Sequence, residues 1–212
     1  MREQRLIVAM TGATGAIIGI RLLEALRDLE VEVHLVLSEW AKRTIRIETD
    51  YSVPDVLALA HRHYQHSNQA APISSGSFRT DGMIIVPCSM NTLAAIAHGL
   101  SENLIARAAD VTLKERRRLV IVPRETPLSS IHLRNMLSLS DAGASVVPPV
   151  PAFYNLPQSV DDLVMHIVAR VLDQFGIENE LTSRWGTPSA ESNGGARLVV
   201  SGVEEPADNG YR

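Results

Sequence analysis

The sequence predicts an α/β protein: a Rossmann-like, doubly wound parallel sheet in a single domain, followed by a disordered C-terminal tail. Three observations predict it. Short apolar runs of strand type alternate along the chain with segments of helical period. A glycine turn, Thr11-Gly12-Ala13-Thr14-Gly15-Ala16, joins the first strand to the first helix, as in a right-handed βαβ unit. Nearly every strand-like run ends at a polar, glycine or proline motif, and in doubly wound sheets ligands bind beyond the carboxyl ends of the strands.

The elements follow in order. Leu6–Met10 is the first strand, and Ile18, Leu22, Leu26 and Leu29 recur at helical spacing behind the glycine turn. Val31–Leu37 alternates as a second strand, after which Ser38 caps a helix opening at Glu39. Residues 61–80 are polar and are expected to be irregular, with three histidines and Ser74-Ser75-Gly76-Ser77. Met83–Val86 is a buried-type strand closed by Pro87, and Ser89 to His98 is helical. Asn103 to Arg117 is a helix ending in a basic run. Leu119–Val122 is a strand closed by Pro123, Leu128–Ser140 a helix, and Ser145–Val147 a last short strand. The prolines between Pro148 and Pro157 require a loop, because proline lacks the N–H that helices and ladders use. Val160, Leu163, Val164, Ile167, Val171 and Leu172 form the apolar face of a long final helix that reaches Phe175. The domain is expected over residues 1–186. Residues 187–212 are rich in Gly, Ser, Glu and Asn without a period, the composition of a disordered tail.

Composition narrows the function classes. At 45% hydrophobic residues the chain has enough apolar surface for a real core. A net charge of −4 argues against nucleic-acid binding as the main task. One cysteine, Cys88, excludes an internal disulfide. No apolar run approaches the roughly 20 residues of a membrane helix, and the N-terminus lacks a signal-peptide layout, so a cytoplasmic location is expected. The seven histidines show no metal-ligand spacing, and no Asp-rich motif for Mg²⁺-diphosphate stands out.

Several motifs carry chemistry, each beside a plainer reading. The glycine turn offers free helix N–H groups to a phosphate, with Thr14 adding a hydroxyl; a simple βα turn would look the same. Ser89, Asn91 and Thr92 suit a flavin edge or phosphate, or Ser89 only caps a helix. Cys88 is more simply a small buried residue than a nucleophile. Arg107 and Lys114, seven apart, share a helix face that can clamp a phosphate, although most of the local charge reads as a solvated face. Arg124 and Glu125 lie between Pro123 and Pro127: an anion ligand beside a carboxyl acid/base, or a surface ion pair. Tyr154 ends a stiff proline-rich loop beside Phe153, as a ligand contact or as local packing. Arg170 interrupts the final helix near its apolar stripe, where an arginine can also snorkel.

Taken as an ordered set, these segments resemble the UbiX-type flavin prenyltransferases. The resemblance is carried by Met10-Thr11-Gly12-Ala13-Thr14-Gly15-Ala16, Glu48-Thr49-Asp50, Ser74-Ser75-Gly76-Ser77-Phe78 and Val86-Pro87-Cys88-Ser89. It continues in Arg107-Ala108-Ala109-Asp110-Val111, Leu113-Lys114-Glu115-Arg116-Arg117, Val122-Pro123-Arg124-Glu125-Thr126-Pro127-Leu128, Pro151-Ala152-Phe153-Tyr154 and Arg184-Trp185. It implies two substrates, reduced FMN and dimethylallyl phosphate, and a product, prenylated FMN, whose fourth ring closes between N5 and C6. It further implies a UbiD-type decarboxylase as recipient, and a homododecamer with active sites at subunit contacts. By position, Gly12, Ala13, Thr14, Ser38 and Arg124, with Ser89, Met90, Asn91 and Thr92, would hold FMN. Ser75, Arg107, Lys114, Tyr154 and Arg170 would hold the prenyl phosphate, with Trp185 in the C-terminal segment over the site. Glu48 and Glu125 match the acid/base residues; Lys114 and Thr14 complete the catalytic set. Thr14 stands where the family usually has Ser, which keeps the hydroxyl and adds a methyl. Two rivals remain at this stage: an FMN-dependent decarboxylase of the cysteine-conjugate type, and a non-catalytic FMN carrier or accessory subunit. Neither needs Glu48, Lys114, Arg124 and Glu125 together.

Overall fold

The computed structural model describes residues 4–185; the tail expected over 187–212 and the boundary at 186 lie outside the described residues. Six strands form one sheet in the order β3-β2-β1-β4-β5-β6, and every pairing is parallel. The strands are β1 (Arg5–Met10), β2 (Glu32–Leu37), β3 (Arg62–Gln65), β4 (Gly82–Cys88), β5 (Arg118–Pro123) and β6 (Ser145–Val146). The helices are α1 (Ala16–Asp28), α2 (Glu39–Glu48), α3 (Val53–Ala58), α4 (Met90–Ala97), α5 (Leu104–Lys114), α6 (Ser130–Asp141) and α7 (Val160–Asp173). The chain leaves β1 toward β2 and β3, then returns to β4 on the other side of β1. The carboxyl ends of β1 and β4 therefore border the crevice at which the strand order reverses.

The central strands are apolar throughout because both faces of a parallel sheet are covered. Leu6, Val8 and Met10 face a core shared with α1, α2, α3 and α7, whereas Ile7 and Ala9 face one shared with α4, α5 and α6. Helix boundaries follow side-chain caps: Ser38, Ser89, Asn103, Ser129 and Ser159 each accept a hydrogen bond from the third residue of the helix that follows.

The structure departs from the sequence expectation at four places. Within the stretch expected to be irregular, Arg62–Gln65 forms the edge strand β3, paired with β2 from His34↔Arg62 to Leu37↔Gln65. Only Tyr64 of β3 is even half-buried, so an edge strand here leaves no apolar alternation to read. Pro87 and Pro123 lie inside β4 and β5 rather than closing them, and the two strands pair again at Cys88↔Pro123 after a register shift. The α5 helix stops at Lys114 and turns at Arg116, whose φ is 54°. The final helix ends at Asp173, short of Phe175.

Leu35 is fully buried in the core beneath α1 and α2. Leu35→Ala is expected to lower stability by about 2–5 kcal/mol. It should be read as a fall in the urea midpoint with unchanged slope, at fixed protein concentration. A midpoint equal to wild type would contradict the burial of Leu35, since even full collapse of the cavity leaves the lost transfer free energy.

Candidate functional site

The site starts from one buried hydroxyl. Thr11 Oγ1 donates to the Pro87 carbonyl at 2.9 Å and accepts from the Ser89 N–H at 2.7 Å. The Thr11 N–H donates to the same Pro87 carbonyl at 3.1 Å. These three bonds tie the loop after β1 to the loop after β4 across the crevice. The Ser38 N–H bonds the Met10 carbonyl at 3.0 Å, and the Arg124 N–H bonds the Cys88 carbonyl at 3.1 Å. The ends of β2, β1, β4 and β5 are thus laced together in sheet order, bringing Gly12, Ala13, Thr14, Ser38, Ser89 to Thr92, Arg124 and Glu125 to one edge. Thr11 was not singled out from the sequence; a hydroxyl at the buried end of an apolar strand is the signal that marks it.

Within this edge the hydroxyls also serve the backbone. Ser38 Oγ accepts from Ala41 N at 3.0 Å; Ser89 Oγ accepts from Thr92 N at 3.4 Å and donates to Thr92 Oγ1 at 3.1 Å. Gly12 is exposed, and a Cβ there would overlap Cβ of Trp40, so the absence of a side chain lets α2 close over the turn. Trp40 is itself exposed, with Arg43 stacked 4.7 Å from its ring centroid. Glu125 Oε1 accepts from the Thr126 N–H at 3.1 Å, which folds the carboxylate back onto its own loop.

Glu48 corrects one expectation about the glycine turn. Its Oε2 accepts from Gly15 N at 2.8 Å and Ala16 N at 3.0 Å. The free amides at the start of α1, offered to a phosphate in the sequence reading, are held by this chain's own carboxylate. A carboxylate is what the positive end of a helix favours. That leaves the start of α2 at Ser38 and the turn between β4 and α4, with Ser89 and Thr92, as the remaining helix starts described at this edge.

The prenyl-phosphate candidates fall into two groups. Ser75, Arg107 and Lys114 lie together beside α5, on the sheet face covered by α4, α5 and α6. Arg107 Nε donates to the Ser74 carbonyl at 3.1 Å and Nη1 pairs with Asp110 at 2.8 Å; Ser75 Oγ lies 2.9 Å from Ser77 Oγ. Lys114 Nζ pairs with Glu115 at 2.5 Å in a solvent-exposed contact of the kind that contributes little and exchanges readily for another anion. The Glu115 carboxyl is held below its usual range by Lys114. Tyr154, Arg170 and Trp185 belong to the opposite face, with α7. Tyr154 stands edge-on between Trp185 (centroids 5.4 Å apart) and His166 (5.7 Å). Arg170 pairs with Asp173 at 2.7 Å, which also binds Arg184 at 2.7 Å. A single chain therefore does not bring these two groups together.

His166, which the sequence reading passed over, is buried beneath Tyr154 with no hydrogen-bond partner for Nδ1. Burial first, and the charge of Arg170 second, push its imidazole below the ordinary value. Among the described residues no group of His, Cys, Asp or Glu could hold a metal ion, and no helix is long and apolar enough to cross a membrane.

The Flavoprotein family model matches residues 1–172. The chain belongs to the Flavoprotein family. Within it, the chain is 62% identical over 190 residues to a probable UbiX-like flavin prenyltransferase of Escherichia coli O157:H7, covering 89% of this chain and 96% of the relative. A crystal structure of AnUbiX (PadA1) in complex with FMN and dimethylallyl pyrophosphate superposes with a TM-score of 0.87 at 58% identity, covering 88% of this chain and 99% of that one. A dodecameric FMN-dependent UbiX-like decarboxylase from E. coli O157:H7 gives 0.85 at 62% identity, covering 87% and 100%. This Flavoprotein-family chain therefore shares its fold, over nearly their whole length, with relatives that bind FMN.

Cys88 is fully buried, and desolvation pushes its thiol up. Thiolate is the reactive form. Native protein at pH 8 is thus expected to resist iodoacetamide, with one thiol appearing only in denaturant. Rapid native labelling, followed by mass spectrometry, would contradict the burial.

Proposed function

We propose that the protein is a flavin prenyltransferase. It transfers a dimethylallyl group from dimethylallyl phosphate to N5 and C6 of reduced FMN, without a metal, and its prenylated FMN serves a UbiD-type decarboxylase. One observation carries the reading. The crevice loops that suit FMN and the Ser75–Arg107–Lys114 cluster occur together in a chain 58% identical to a protein crystallised with FMN and dimethylallyl pyrophosphate. The donor set fits the flavin: hydroxyls of Ser38, Ser89 and Thr92, the open backbone at Gly12, the Thr14 hydroxyl, and Arg124 for negative charge.

Reduced FMN supplies the electron-rich ring atoms that are alkylated. The protein's task is to make phosphate a good leaving group and to hold the allyl carbon against N5. Lys114, Arg107, Arg170 and Arg124 neutralise the charge that grows on phosphate as the C–O bond breaks, each worth on the order of 3 kcal/mol of barrier. Glu125 delivers a proton to the departing phosphate. Closure onto C6 consumes the prenyl C=C bond: the proton that N5 gives up on alkylation adds to one alkene carbon, the other alkene carbon bonds to C6, and the C6 proton leaves to Glu48 or to the released phosphate; two backbone N–H bonds already fix the Glu48 carboxylate. A monophosphate carries less charge than a diphosphate, so arginine and lysine suffice where Mg²⁺ would otherwise be used.

The separation of Tyr154 and Arg170 from Ser75, Arg107 and Lys114 on opposite sheet faces supports a site completed by a second copy, within a dodecamer like that of the E. coli relative. Exposed Leu133 and Leu137, one turn apart on the same face of α6, support the same assembly, since on a lone chain that face would meet water. The reading retains the cytoplasmic location expected from the sequence.

Anaerobic incubation with reduced FMN and dimethylallyl phosphate, without metal, is expected to add one five-carbon unit to the extracted flavin by mass. Unmodified FMN, with either the monophosphate or the diphosphate donor, would overturn the reading. Glu125→Gln is expected to lower turnover at least about 100-fold with FMN still bound. Wild-type turnover in that variant would remove Glu125 from the acid role.

A further inference from the structure

Ser75 is useful for donor binding only if its loop is held against α5, and that loop has little regular structure of its own. A short 3₁₀ turn over Pro72–Ser74 precedes it, and within it Phe78 N bonds Ser75 O at 3.2 Å. What fixes it comes from outside. Arg117 Nη2 donates to the Gly76 carbonyl at 2.6 Å and Nη1 to the Phe78 carbonyl at 2.8 Å, while Arg107 Nε takes the Ser74 carbonyl at 3.1 Å. Alternate carbonyls of residues 74, 76 and 78 are thus gripped by two guanidinium groups. The far end is wedged by Phe78, which lies edge-on to His34 (5.2 Å between centroids) and under the Arg5 guanidinium (4.9 Å).

Arg117 is suited to this because its own backbone is fixed on both sides. Its N–H bonds the Thr112 carbonyl at 2.9 Å, closing the end of α5, and the next residue begins β5. The fork then spans two carbonyls that a point-charge ammonium could not hold in the same geometry. The loop lies beside the end of α5, where a Cβ at residue 76 would meet only the movable ends of the Glu115 and Lys114 side chains. The fork of Arg117, not the glycine, is therefore what holds the loop there.

Resting on the prenyltransferase reading, we infer that Arg117 is a positioning residue for donor binding: its two-carbonyl grip on the Ser74–Phe78 loop holds Ser75 in register with Lys114 and Arg107 at the prenyl phosphate. It acts through the loop and leaves the flavin side of the crevice unaffected.

The test is steady-state kinetics of the full chain with dimethylallyl phosphate, beside FMN titration and thermal unfolding. Arg117→Lys keeps the charge and loses the fork. KM for dimethylallyl phosphate is expected to rise about tenfold or more, with kcat within about twofold and FMN affinity unchanged. Arg116→Lys, at an exposed neighbour, is the control and should match wild type. Arg117→Gln removes the fork and the charge together, and the same KM-against-kcat split is expected; it answers the question even if Arg117→Lys fails to fold. A wild-type KM in either folded variant overturns the positioning role, and so does a loss of kcat and FMN affinity without a KM change. Failure of the prenyltransferase reading itself is separate, because it appears as unmodified flavin from wild-type protein.

Discussion

Thr11 holds the crevice together. A parallel sheet that reverses its strand order must leave a gap between the loops of β1 and β4, where backbone groups lose their neighbours in the ladder. One buried hydroxyl, carried on the β1 side and bonded twice to the β4 side, closes the back of that gap. Every flavin-side candidate hangs from this point: Gly12 to Thr14 on one side, Ser89 to Thr92 on the other. Arg124 follows through the Cys88 carbonyl and Ser38 through that of Met10.

The donor side is built on a different principle. The cations we propose for it each stand in a close ion pair with a neighbouring carboxylate, Arg107 with Asp110, Lys114 with Glu115 and Arg170 with Asp173. The flavin side is rigid backbone and short hydroxyls; the donor side is long side chains divided between two faces. Rigidity on the donor side is imported through the Ser74–Phe78 loop and the aromatic stack of Trp185, Tyr154 and His166.

The fold was legible because its information is local. Buried strands read as unbroken apolar runs, and serine or asparagine marked the start of α2, α4 and α5. The strand β3 was hidden because its side chains are mostly exposed and its stability comes from ladder bonds to β2, which leave no trace in side-chain pattern. The placement of the candidate residues at strand ends was legible from the sequence. Their partners were not: that Glu48 reaches back 33 residues to Gly15, or that Arg117 spans 41 residues to Gly76, is set by tertiary packing alone. The division of the donor residues between opposite faces was equally invisible, since spacing along a chain carries no record of which sheet face a helix covers.

Glu48 couples two traits that evolution would otherwise tune apart. The same carboxylate that we propose as the base in the second bond-forming step also satisfies the first amides of α1 and so sets the shape of the glycine turn. Glutamine could keep an oxygen for those amides while losing proton-accepting power, whereas alanine would remove both at once. Drift at position 48 is therefore channelled: changes that spare the turn preserve an acceptor of nearly the same length, and shorter residues would surrender the architecture of the flavin loop together with the chemistry.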